Sequence, residues 1–172
     1  MEPKLNKGCP EALAAEAREH WTASVETLRT DKYLRGHLVL WRYDATTGAL
    51  EFLRFLSADE MTADLGQRLR WAEWCRRQIR ETGANAVVYA ADIWITQIPG
   101  IRARFAPDRR EALRLTVETR GGGAWVMMQP YSRIGASIFI SDEIPPLLPV
   151  EPDASHGLMS GWWSPTPSPS NN

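Results

Sequence analysis

The chain of 172 residues is 44% hydrophobic and 24% charged, with a formal net charge of −1. That length suits one domain whose core needs no covalent staples, and near-neutrality leaves electrostatic function to local patches rather than to a global pull on nucleic acid or acidic membranes. Cys9 and Cys75 lie far apart with no CxxC pair and no Cys/His cluster, which argues against a structural zinc site or a disulfide framework and for two reduced thiols.

The first expected element is a helix from Pro10 to about Leu28. Ala14, Ala17, Trp21, Val25 and Leu28 recur at steps of three and four and form one apolar face. Two strands follow, His37 to Tyr43 and Leu50 to Leu56, joined by a turn in which Gly48 can take a left-handed conformation. Ser57-Ala58-Asp59-Glu60 reads as a capping box for a helix over 58–82 that stops at Gly83. Met61, Leu65, Leu69, Ala72 and Ile79 share its expected core stripe.

Ala86 to Ile95 is an apolar run of β-formers and reads as a central strand. Glu111 to Thr119 alternates, with Leu113, Leu115 and Val117 facing one way and Arg114, Thr116 and Glu118 the other. Arg120-Gly121-Gly122-Gly123 turns the chain into a partner strand, Ala124 to Tyr131, and Ser137 to Ser141 offers a short further strand. From Ile144 onward proline dominates, and residues 153–172 read as a Pro/Ser-rich flexible tail dispensable for folding. The order of elements predicts an α+β domain over 1–152: a mostly antiparallel sheet of five or six strands with two main helices packed on one face.

Several groupings could carry function. Arg102, Arg104, Arg109 and Arg110 crowd the 97–110 loop against a single acid, Asp108; guanidiniums so placed can grip phosphates or carboxylates bidentately. On the second helix, Trp74 lies opposite Leu65 on the wheel and is flanked by Arg70 and Arg77, a pattern suited to anchoring a partner or stacking on a base. Asp92, Glu111 and Glu118 are candidates for an acidic site if the fold brings them together. Trp162-Trp163 in the tail reads as a short peptide ligand for another surface, or as a segment that docks on its own domain. His20, His37 and His156 show no HxxxH or HxH spacing, no G-x-S-x-G elbow occurs, and the glycines at 121–123 lack the Gly-Lys-Ser/Thr of a phosphate loop. No metal or cofactor is expected.

The segments DIWITQ and DRREALRLTVET resemble an uncharacterised group of small bacterial and phage-associated proteins. In that group a strand ends in Asp-x-Trp, a variable loop follows, and then come Asp-x-Arg-Arg-Glu and a strand with a terminal Glu. The likeness covers Ala86 to Thr119, about a fifth of the chain. It implies matching positions at Asp92, Trp94, Asp108, Arg109, Arg110, Glu111 and Glu118, and it implies no chemistry.

The leading expectation is therefore a non-enzymatic, cytoplasmic protein that binds another protein through Arg70, Trp74, Arg77, Arg102, Arg104, Arg109 and Arg110. The N-terminus has no secretory signal pattern, and no apolar run approaches the roughly 20 residues a membrane span needs. The alternative is a nucleic-acid or phosphate-ligand binder using loop 97–110 and helix 58–82. The third is an enzyme with an acidic site around Asp92, Glu111 and Glu118.

Overall fold

A computed structural model describes residues 8–58, 65–151 and 161–163. The elements are α1 (Glu11–Asp31), β1 (His37–Tyr43), β2 (Leu50–Ser57), α2 (Leu65–Thr82), β3 (Ala86–Ile95), a 3₁₀ turn (Ala103–Phe105), β4 (Arg110–Thr119), β5 (Gly123–Ile134), β6 (Ser137–Phe139) and β7 (Leu148–Val150). The fold is α+β, with two helices and a curled antiparallel sheet. Strand order is β2-β1-β3-β4-β5-β6, and β7 pairs with the start of β5. The seventh strand was not expected; it carries Pro149, which lies opposite Trp125 on the outer edge of β5. Among the described residues no helix is long and apolar enough to cross a membrane.

The expectation that both helices cover one face is corrected. Val88 and Ala90 of β3 pack with Leu13, Ala17, Trp21, Val25 and Leu28 of α1. The alternate residues, Val87, Tyr89 and Ala91, pack with Cys75 and Ile79 of α2. Successive side chains of a strand point to opposite faces, so the helices sandwich the sheet. A fully buried central strand is the reason Ala86–Ala91 reads as a continuous apolar run rather than an alternating one.

α1 runs to Asp31, and Lys32 caps it in a left-handed conformation (φ 67°). In α2 the buried residues are Ala72, Cys75, Arg76, Gln78 and Ile79. Leu65, expected in the core stripe, is exposed. Asp59 and Glu60 of the expected capping box, and Met61, lie outside the described residues.

The flexible-tail expectation is corrected for residues 161–163. Trp162 is 1% exposed and belongs to the core beneath α2. Residues 153–160 and 164–172 lie outside the described residues.

Candidate functional site

The turn at Gly121–Gly122 fixes the β4–β5 register: Thr119 faces Gly123, and counting outward brings Glu111 opposite Tyr131. On the other side Trp94 pairs with Glu111 and Asp92 with Leu113. Asp92, Trp94, Glu111, Tyr131 and Arg133 therefore share the α1 face, just past the C-terminal end of that helix. Tyr131 Oη donates to Asp92 Oδ1 at 2.7 Å and lies 3.3 Å from Glu111 Oε1. Arg133 grips Glu111 with two nitrogens, Nε to Oε2 at 3.2 Å and Nη2 to Oε1 at 3.1 Å. Its Nη1 donates to the Lys32 carbonyl at 2.6 Å, tying β5 to the end of α1. Burial pushes the Asp92 carboxyl above the usual carboxylate range; the Tyr131 hydrogen bond opposes this and the Glu111 charge adds to it. Burial and the Asp92 hydrogen bond raise the Tyr131 phenol, so it stays protonated and donates.

Trp94, Glu111, Tyr131 and Arg133 line an open cleft of about 780 Å³, together with Arg109, Arg110 and Phe139. Trp94 and Phe139 are exposed within it, at 45% and 57%. The 97–110 loop forms one wall and is held by specific contacts. Asp108 accepts from Thr96 Oγ1 and from the Gln97 N–H at 2.9 Å, which hold its carboxyl below the usual range. Arg109 lies over the Trp94 ring at 4.1 Å and donates to the Arg104 carbonyl at 2.9 Å. Arg104 in turn covers Phe105 at 4.5 Å.

The expected partner-binding residues thus divide. Arg109 and Arg110 line the cleft, and Arg102 and Arg104 are exposed on its loop. Arg70, Trp74 and Arg77 are exposed on α2, which packs on the opposite face. The acidic set divides as well, and the expectation of a three-acid site is corrected. Glu118 is 3% exposed, on the α2 face, where it accepts the backbone N–H groups of Gly161 at 3.2 Å and Trp162 at 3.3 Å. The Trp162 ring meets Tyr89 at 5.6 Å, Trp71 edge-on at 6.4 Å and the Arg76 guanidinium at 5.2 Å. Burial pushes the Glu118 carboxyl up, against the pull of those N–H groups and of Arg76 and Arg114. Among the described residues no group of three or more His, Cys, Asp or Glu side chains is placed to hold a metal ion.

Tyr131, Arg133 and Phe139 escaped the sequence reading, although hairpin register alone sets Tyr131 against Glu111. Parity also excluded Glu118 from the Glu111 face, since an odd number of residues along a strand reverses the side. No protein-family model, curated protein or solved structure matches the chain.

Proposed function

We propose that the chain is a non-enzymatic binding domain that engages a partner protein through the cleft between loop 97–110 and the β5–β6 hairpin. The observation that carries this reading is the Arg109–Trp94 stack in a cleft that the exposed Phe139 also lines. Exposed tryptophan and arginine grouped around a concavity belong to the composition of interface hot spots. The charge pattern favours protein over nucleic acid. Arg109 is occupied by Trp94 and a carbonyl, Arg133 is neutralised by Glu111, and the third arginine of the lining, Arg110, acts on the Asp108 carboxylate. A phosphate-tracking groove calls for unopposed cations.

Affinity capture from extracts of cells that make the protein tests this. A protein partner should survive nuclease treatment, disappear with Trp94→Ala or Arg109→Ala, and persist with Trp74→Ala. The opposing result is single-stranded oligonucleotide binding at about 50 mM salt that fades by about 200 mM, the signature of counterion release.

A further inference from the structure

β3 ends at Ile95, and β4 restarts opposite it at Arg110. Ile134 of β5 pairs with Ser137 across a tight turn, in which Gly135 takes the left-handed conformation (φ 59°). Because Glu111 faces Tyr131, the 96–109 loop and the β5–β6 turn leave the sheet at the same end. The three most exposed large apolar side chains among the described residues all lie there: Phe105 at 68%, Ile134 at 67% and Phe139 at 57%. Ile101, on the loop, is exposed as well.

Short-range bonds hold the loop ring outward. Phe105 sits in the 3₁₀ turn, where its N–H donates to the Arg102 carbonyl at 2.9 Å and the Ala106 N–H donates to the Ala103 carbonyl at 3.1 Å. Ala106 is buried, so the turn is anchored directly behind the ring. The Arg104 guanidinium lies over that ring, which keeps charge and apolar surface together. The charge at this end is one-sided. Residues 97–107 contain Arg102 and Arg104 and no acid, and residues 132–140 contain Arg133 and no acid. Asp108 commits its carboxylate to Thr96 and the Gln97 N–H at the base of the loop. Asp142 follows only after β6 has turned back along β5, and it pairs with Arg29 of α1.

Exposed apolar groups gathered in this way mark a contact with another protein or with a membrane. The arrangement favours the membrane. A folded partner must supply a matching pocket for each separate projection. The boundary between headgroups and acyl chains accepts isolated rings and aliphatic chains at any spacing, and anionic headgroups attract the arginines among them. We propose that this end of the sheet docks on an anionic lipid surface. Ile101, Phe105 and Ile134 enter the apolar boundary, and Arg102 and Arg104 meet the lipid phosphates. The near-neutral net charge does not oppose this, because the field is local. The proposal stands apart from the protein-binding role of the cleft.

The test is co-sedimentation of the full-length protein with vesicles. It should bind phosphatidylcholine vesicles containing about 30% phosphatidylserine at least about tenfold more tightly than phosphatidylcholine alone. Arg104→Gln should weaken that binding about fivefold, the share of one cation near the surface. Phe105→Ser combined with Ile134→Ser should weaken it about tenfold or more. Both replaced side chains are exposed, so this variant should unfold in urea as the wild type does. Phe52→Ser, an exposed ring on β2, should bind as the wild type does. No binding to the anionic vesicles, equal binding to both kinds of vesicle, equal binding by wild type and the Phe105/Ile134 variant, or an equal loss in Phe52→Ser overturns the proposal. So does loss of a captured protein partner in the Phe105/Ile134 variant when the wild type ignores vesicles, which would assign both projections to a protein interface.

Discussion

Glu111 and Glu118 stand seven residues apart on β4 and live in different worlds. Glu111 sits at the floor of an open cleft, about a third exposed, held by Arg133 and reached by Tyr131. Glu118 is sealed beneath α2 and spends both oxygens on the backbone of a returning segment. One carboxylate organises a surface and the other closes a core. Residue type does not distinguish them; strand parity does.

The strongest way to break that comparison is Trp162→Ala. If Glu118 and the aromatic pocket truly close a core, urea unfolding should show a loss of about 3–5 kcal/mol, similar to Trp21→Ala in the α1 core. A loss under about 1 kcal/mol would return residues 161–163 to the status of a tail. Next in size is the pair of carboxylates themselves. Glu118→Ala strands two buried N–H groups and the Arg76 and Arg114 charges, and should cost about 3 kcal/mol. Glu111→Ala breaks a partly solvated pair and should cost about 1 kcal/mol. Equal losses would erase the distinction.

A pH series sharpens the cleft side. Folding raises the Asp92 carboxyl above its ordinary 3.8. The folded state therefore holds that proton more tightly than the unfolded chain. Its contribution is full below the ordinary value and is lost as pH rises through the raised one. Asp92→Asn keeps an acceptor for Tyr131 and removes the titration. Urea midpoints from about pH 3 to 7 should show the wild type falling relative to Asp92→Asn; parallel curves would contradict the assignment. The smallest effect is expected at Trp74→Ala, within about 0.5 kcal/mol, because its ring faces outward from α2 at 37% exposure.

Most of the fold could be read from local patterns. The α1 stripe, the β1–β2 hairpin, the β3 run and the β4–β5 hairpin each follow from spacing that short-range physics enforces. What escaped reading depends on distant partners. Whether a helix covers the odd or even residues of β3 is invisible when that strand is apolar on both sides. The docking of Trp162 on Glu118 spans 44 residues, and only the doubled tryptophan hinted at it. His20 and His37 meet because the end of α1 leads straight into β1, not because of any motif spacing. At the cleft, Arg109 and Glu111 were visible as chemistry and Trp94 through the resemblance alone, while Tyr131 and Arg133 needed the register to be counted across the turn.

The margins of the sheet bear on how a partner can be recognised. One margin is β2, whose register shift against β1 interrupts a regular ladder and whose Glu51 and Arg54 are exposed. The other is β5, overlaid by β7 at one end and β6 at the other, with Pro130 in the interval contributing no N–H. Bulges, charges, short covering strands and proline are the devices that stop a sheet from extending itself. Main-chain addition of a foreign strand is thereby disfavoured at both borders. Under the proposed function, recognition would then fall to side chains on the broad faces, matching a pattern of rings and charges rather than lengthening the sheet.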